Sequence, residues 1–392
     1  MTKEGMNMER VRRKNRALIL NCITDAGPLS RTDIAERTGL TAASVSQITT
    51  ALLSERILTE SGTDVPNPGT AGRRKVLLDL NPDAGYCFAV NVESIDTTVA
   101  IVDRKGRLLR NAVTGDGMPL FRVLPTDRTV PPETFLLRVA ETCRTLSASL
   151  LPETVLRIDR CAVDVTGAVD PVRGVSLRAY GIWNDPVDLA AILGEELGLP
   201  VLCENNVDAL ATAELLFGVG KTYDNFLLVK WGPGVGATIV ADGAIYKGRR
   251  GRAGELGHVI VDPDGDVCSC GRTGCLETKV SVGALNRILP FTPGTFASAY
   301  ERADSDTKRR FDEAISLFAR SVVNAGTVLA PERIVLAGSL FRIPTLRELF
   351  LKACAAYDST YDGTRVAYSA LGPYEPYAGP AAVYLRSVLA ED

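Results

Sequence analysis

The stretch Glu255–Glu277, ELGHVIVDPDGDVCSCGRTGCLE, decides how this chain is read. It holds the chain's one histidine, His258, followed by Cys268, Cys270 and Cys275 in a His-x9-Cys-x-Cys-x4-Cys spacing. Three thiolates and an imidazole are a complete tetrahedral ligand set for zinc. Four protein ligands leave no position open for water, so the zinc expected here is structural and activates no nucleophile. Gly265, Gly271 and Gly274 allow the tight turns that a short loop needs to wrap a metal. Glu255 and Glu277 flank the ligands and are suited to accept hydrogen bonds from hydroxyl groups.

Outside that run the chain reads as an ordinary globular protein. Its 392 residues are 46% hydrophobic and 23% charged, enough for two or three domains. The six other cysteines, Cys22, Cys87, Cys143, Cys161, Cys203 and Cys354, are scattered through apolar surroundings. That is no disulfide framework, and it points to a reducing compartment, the cytoplasm. No apolar run reaches the length of a membrane span. The basic N-terminus carries an apolar stretch over 17–23, but Asn21 interrupts it and Asp25 follows, so it reads as an amphipathic helix and not a signal peptide. Charge is unevenly spread. Residues 1–80 carry 12 Lys/Arg against 9 Asp/Glu, while the whole chain has a net charge of −3. A basic front on an acidic body points to a nucleic-acid-binding module joined to another domain.

The front has the pattern of a helix-turn-helix. Residues 9–26 predict a helix with Val11, Ala17, Leu18, Leu20 and Ile23 near one face and Arg12, Arg13, Lys14 and Arg16 at its start. Gly27-Pro28 ends it. Ser30, with Asp33 three residues on, caps a short second helix that stops at Gly39. Thr41 caps a third, through about Glu55, with Val45, Ile48, Leu52 and Leu53 facing inward. Helix, short turn with glycine, helix is the DNA-binding arrangement. Thr41, Ala42, Ala43, Ser44, Ser46 and Gln47 are small or polar and fit a major groove, and Arg31 joins them as a DNA-contact candidate. Residues 57–61 and 75–80 predict two strands of a wing. At its tip Arg73 and Arg74, beside Gly72, are placed for phosphates or a minor groove. The resulting expectation is a winged helix-turn-helix domain over 1–82 and a body over 83–392.

The body alternates strands and helices. Tyr86 begins YCFAVNVESIDTTVAIVDRKGRLL, read as a hairpin turning at Arg104-Lys105-Gly106. Residues 133–151 and 207–218 predict helices, 158–166 a strand, and GLPVLCEN at 198–205 a helix end, strand and loop. The run FLLVKWGPGVGATIVADGAIYKG predicts two strands around a glycine turn. Residues 303–329 predict a long helical region, and 333–336 a strand ending at Ala337-Gly338-Ser339. This is a mixed α/β body with glycine-rich strand ends.

The ELGH and CSCGRTGCLE runs, GIWNDPVDLAAILGEELGLPVLCENN and IVLAGS together resemble the ROK family of sugar kinases and sugar-responsive repressors. The resemblance covers residues 85–392, and the front domain matches the family's repressor branch, similar to xylose and N-acetylglucosamine repressors. It implies an actin-like, ribonuclease-H-like ATPase fold of two lobes, one about 83–200 plus the C-terminal helix and the other about 201–375, with a sugar in the cleft. It also implies Asn205, Glu255, His258 and Glu277 as sugar contacts, with Asn206 beside them. His258 then serves the zinc with one nitrogen and a sugar hydroxyl with the other.

Departures from the kinase pattern bear on activity. A ROK kinase has an aspartate directly after the asparagine matching Asn205, and that aspartate takes the proton from the sugar hydroxyl. Here Asn206 stands there, and a neutral amide is no base. Asp208 is near in sequence but is expected to point elsewhere. The family's first phosphate loop, Asp-x-Gly-x-Thr, is Asn91-Val92-Glu93-Ser94-Ile95 here. The magnesium-handling aspartate has become an amide, and a glycine has become an anion that repels phosphate. Trp231–Gly236, WGPGVG, keeps glycines able to cradle phosphate.

Three readings follow: a transcriptional regulator, no longer an enzyme, that binds operator DNA and a monosaccharide or sugar-phosphate effector as a homodimer or tetramer; an active sugar kinase with a DNA-binding domain; and a dimerising scaffold that binds no small molecule. ATP-dependent phosphorylation of a hexose separates the second from the first, and thermal stabilisation by a sugar separates the first from the third.

Overall fold

The computed structural model describes residues 8–63, 75–249, 251, 253–361 and 364–390. The front contains α1 (Met8–Ala26), α2 (Arg31–Thr38) and α3 (Ala42–Ser54). Its three-stranded sheet is formed by β1 (Leu29–Ser30), β2 (Leu58–Thr63) and β3 (Val76–Leu80) in the order β1-β3-β2. The capping chemistry behaves as the sequence dictates. Ser30 Oγ accepts from the Asp33 amide while Asp33 answers the Ser30 amide, a reciprocal capping box. Gly39 closes α2 in the left-handed region at φ 69°. Thr41 Oγ1 accepts from the Ser44 amide at the start of α3. One detail of α1 differs from the expected face: Ile19 is fully buried and Leu18 is 39% exposed. The buried stripe is Ile19, Leu20 and Ile23, rotated by one residue.

The body is built on two five-stranded sheets with one plan. The first uses β4 (Tyr86–Val92), β5 (Asp96–Asp103), β6 (Phe121–Pro125) and β7 (Ile158–Val165). A small separate sheet then holds β8 (Ala168–Asp170), β9 (Val175–Arg178) and β10 (Val187–Asp188), and β11 (Val201–Asn205) returns to the first. The second sheet uses β12 (Phe226–Trp231), β13 (Val235–Ala241), β14 (Ala244–Ile245), β15 (Arg333–Ala337) and β16 (Val366–Tyr368). The orders are β11-β7-β4-β5-β6 and β14-β13-β12-β15-β16. In each, the first three strands are antiparallel neighbours, and the last two join in parallel on the far side of the first. This repetition is the expected two-lobe, actin-like architecture.

Two sequence expectations need correction. The hairpin of β4 and β5 turns at residues 93–95 and not at Arg104–Gly106, which is a second turn carrying the chain back so that Leu108 bridges Val102. Also, β11, assigned above to the second lobe, pairs in parallel with β7 and completes the first sheet. The chain crosses between sheets after Asn205, on the helix Asn206–Phe217.

That helix and the C-terminal helix Glu375–Ala390 lie between the two sheets. Ala378 and Ala382 share an apolar cluster with Val207, Leu210, Phe226 and Leu228, while Tyr377, Ala381 and Tyr384 pack on Cys87, Ala89 and Ala162 of the first sheet. Small side chains allow this close approach. Beneath the second sheet Trp231 is fully buried among Phe318, Phe341 and Phe350, with ring centroids 4.8–6.0 Å away, and its indole N–H donates to Val280 O at 2.7 Å. The core of the front domain does not close on itself. Leu385 and Leu389 belong to it with Ile19, Leu20 and Leu52, and Leu216 and Phe217 pack against it.

Candidate ligand pocket and metal centre

The loop after β14 brings His258, Cys268, Cys270 and Cys275 together although they are spread over 18 residues. A helical turn at Leu256–His258 sets the imidazole, and the turn Cys268–Gly271 sets two thiols. Gly274, at φ 75°, passes so close to the Asp262 carbonyl that any Cβ there would collide with it. The four ligand atoms lie within 4.8 Å of one another. His258 Nδ1 is 3.5 Å from Cys268 Sγ, and Cys270 Sγ is 3.6 Å from Cys275 Sγ. A tetrahedral ion with Zn–S and Zn–N bonds near 2.3 and 2.0 Å sets ligand–ligand edges of roughly 3.5–3.8 Å, which these two edges match. His258 is 4% exposed, and Tyr180 holds its ring edge-on at 4.8 Å. With Nδ1 toward the thiols, Nε2 faces the other way, 3.7 Å from Glu255 Oε2.

On that other side is a pocket between the sheets. Asn205, Asn206, Glu255, His258 and Glu277 all line it, together with Glu93, Tyr180, Asp208, Lys230 and the glycine turn Gly232–Gly236. The amide of Asn205 does structural work as well: Oδ1 caps the helix Asn206–Phe217 by accepting from Val207 and Asp208, and Nδ2 donates to Gly167 O at 2.7 Å. Glu277 Oε2 accepts from the Val235 amide at 3.0 Å, which folds the glycine turn over it. Burial pushes the Glu277 carboxyl up, the Val235 amide opposing and Glu255 adding. Contrary to the expectation that it points elsewhere, Asp208 lines the same pocket. Its Oδ1 accepts from Thr238 Oγ1 at 2.8 Å, and burial raises its pKa.

Behind the pocket, a second cavity shares Glu93, Asn206, Lys230, Gly232 and Pro233 as its wall. Lys230 Nζ is ion-paired with Glu93, and Asn206 Nδ2 donates to the same carboxylate at 2.9 Å. Burial works to lower the lysine pKa, but Glu93 and Asp164 outweigh it, so the ammonium is held charged. Asn91 donates to Asp164, whose pKa burial raises strongly. At the far wall the Gly338 amide donates to Glu375 Oε1 at 3.2 Å, and Glu375 also pairs with Arg342. Lys230 and Tyr180 are not legible as pocket residues in the sequence. The one signal was the position of Lys230 in the strand that opens WGPGVG.

In the front domain Thr41, Ala42, Ala43, Ser46 and Gln47 lie exposed on one side of α3, with Ser44 half-buried at its start, opposite the buried Val45, Ile48, Thr49 and Leu52. Arg31 Nε donates to Thr49 Oγ1 at 3.0 Å, tying α2 to α3. Arg73 and Arg74 lie outside the described residues.

Residues 91–376 match the ROK family, and residues 12–59 match a winged helix-turn-helix DNA-binding domain. The chain is 28% identical to the xylose repressor of Bacillus subtilis (strain 168) over 279 residues, covering 71% of this chain and 68% of the repressor. It is 27% identical to the DNA-binding transcriptional dual regulator NagC of Escherichia coli (strain K12) over 359 residues, 85% of this chain and 82% of that one. In fold it is similar to a ROK family transcriptional regulator, a homolog of the E. coli MLC protein, with a TM-score of 0.74 and 23% identity over 97% of this chain and 100% of that one. A ROK glucokinase from Streptomyces griseus, solved with glucose and AMPPNP, gives a TM-score of 0.61 and 23% identity over 76% of this chain and 98% of the kinase. The chain belongs to the ROK family.

Proposed function

We propose that this chain is a sugar-responsive, DNA-binding transcriptional regulator, a repressor of genes for carbohydrate uptake or catabolism, whose kinase-like body binds its effector without phosphorylating it. One observation carries the reading. The helix Asn206–Phe217 starts in the pocket and ends against the core of the DNA-binding domain, where Leu216 and Phe217 meet Leu385, Leu389 and α1. A ligand that favours one placement of that helix thereby favours one placement of the recognition helix.

The relatives named as repressors support the reading. So does Asn206, whose amide already donates to Glu93 and offers no base to a sugar hydroxyl. In this reading Asn205, Asn206, Glu255, His258 and Glu277 contact the sugar. A structural zinc on His258, Cys268, Cys270 and Cys275 fixes the pocket wall and takes no part in chemistry. Thr41, Ala42, Ser44, Ser46 and Gln47 face base edges, Arg31, Arg73 and Arg74 support the backbone contacts, and a homodimer presents two recognition helices to a two-fold operator.

The test is selection of duplexes from a random pool by the full-length protein. A defined, two-fold-related sequence is expected. Gln47→Ala should change the preferred bases, whereas Arg73→Ala with Arg74→Ala should weaken binding to every duplex and flatten its salt dependence. No enrichment of any duplex would contradict the reading.

A further inference from the structure

We propose that the turn Arg104-Lys105-Gly106 is a joint through which the first lobe sets the pose of the wing, with the Lys105–Asp79 ion pair as its working contact. This deepens the effector reading above and rests on it. The three residues of the turn reach three different elements. The Arg104 guanidinium donates to Asp159 Oδ2 on β7 at 2.9 Å, and the Tyr384 hydroxyl of the C-terminal helix donates to the same oxygen at 3.3 Å. Lys105 Nζ is paired with Asp79 Oδ2 on β3, a strand of the DNA-binding domain. Gly106, at φ 72°, lies against the ring of Phe217, which a Cβ there would meet at 3.1 Å. The turn is thus where the first sheet, the wing and the helix Asn206–Phe217 come together.

Strand geometry aims the pair. On β3, Leu78 and Leu80 are buried in the core of the DNA-binding domain. Side chains alternate along a strand, so Asp79 leaves from the opposite face, toward the body. Its other oxygen, Oδ1, accepts from the Leu80 amide at 2.8 Å, which fixes the carboxylate. The side chains of Lys105 and Asp79 are 27% and 13% exposed, so salt screens this pair less than it screens a surface pair. Just ahead of β3, Lys75 pairs at 3.0 Å with Asp33, the capping-box residue of α2. A shift of β3 therefore reaches the helix that precedes the recognition helix.

β5 connects the joint to the pocket. It runs from the turn at 93–95, whose Glu93 lines the pocket, to the turn at 104–106. Its 8 residues, at about 3.4 Å each, span roughly 27 Å. All of them except Asp96 are buried, and β4 and β6 pair with it on either side, so it moves with its sheet. A ligand that favours one placement of the first lobe at Glu93 thereby favours one placement of Lys105, and the ion pair passes that placement to the wing.

The experiment measures affinity for a duplex selected by the full-length protein, with and without xylose, glucose or N-acetylglucosamine, and follows sugar affinity by calorimetric titration. Wild type is compared with Lys105→Glu, with Asp79→Lys and with the two changes combined. Each single variant sets like charges against each other and should reduce the sugar's fold-effect on duplex affinity by at least about twofold, at unchanged sugar affinity. The combined variant exchanges the poles of the pair and should restore the effect, which a merely structural loss would not allow. A single variant with the wild-type effect, or a combined variant no better than the single ones, overturns the inference and leaves the effector reading standing. No change in wild-type duplex affinity with any of the three sugars overturns the effector reading itself, and this inference with it. Where a charge reversal does not fold, Lys105→Met, which keeps the apolar stem and removes the charge, is judged by the same twofold criterion.

Discussion

The two ends of the helix Asn206–Phe217 are made of opposite materials. Its first turn is polar, capped by Asn205 and lined up with Asn206 and Asp208 on a pocket of carboxylates. Its last turn is apolar, with Leu216 and Phe217 wedged among the side chains that close the core of the DNA-binding domain. Hydroxyl recognition needs a polar end, where small changes in hydrogen bonding alter affinity. Transmission needs a close-packed end, because packed cores move as units and do not deform continuously. The middle of the helix packs against the second sheet and against the C-terminal helix, which itself lies on the first sheet.

The comparison can be broken hardest at the wall of the polar end. Cys270→Ser, or removal of metal by a chelator, should lower the melting temperature of the body by on the order of 10 °C and abolish sugar binding, as followed by differential scanning calorimetry. Equal melting of variant and wild type would show that the cluster holds no structural ion.

A smaller break lies at the apolar end. Leu385 is 1% exposed in the shared core, and Leu385→Ala should cost about 2–5 kcal/mol in denaturant unfolding. Sugar affinity should persist while the sugar's influence on DNA binding fades. If that influence survives intact, the helices do not carry the coupling.

The smallest effect sharpens the comparison at the polar end. Asn206→Asp restores a carboxylate where a kinase has its base, but Asn91 and Glu93 remain. The protein should lose about 1–2 kcal/mol through the broken bond to Glu93 and still transfer no phosphoryl group from ATP to any hexose in a radiolabel assay. Phosphorylated sugar in that assay would mean that Asn206 alone separates this chain from a kinase.

The local chemistry was legible in the sequence: the Ser30–Asp33 capping box, Gly39, the Thr41 cap and the His258–Cys275 cluster all depend on residues close together in the chain. What escaped depends on distant partners. Lys230 meets Glu93 across 137 positions, and nothing local marks either as half of a pair. The turn at residues 93–95 hides in a run that is buried almost throughout, so the next glycine, Gly106, looked like the hairpin's end. β11 joins the first sheet through parallel pairing with β7, a register that only the assembled fold sets. The joint between α1 and Leu385 and Leu389 connects opposite ends of the chain and left no pattern in either.

The coupling is tested most directly by operator affinity, measured by fluorescence anisotropy on a duplex that the full-length protein has itself selected, with and without the uncharged sugar that most stabilises it. A change of about 5–150-fold is predicted, the usual range of a 1–3 kcal/mol coupling, with the duplex altering sugar affinity by the same factor. Identical operator affinity in the presence of a sugar that demonstrably binds would contradict it.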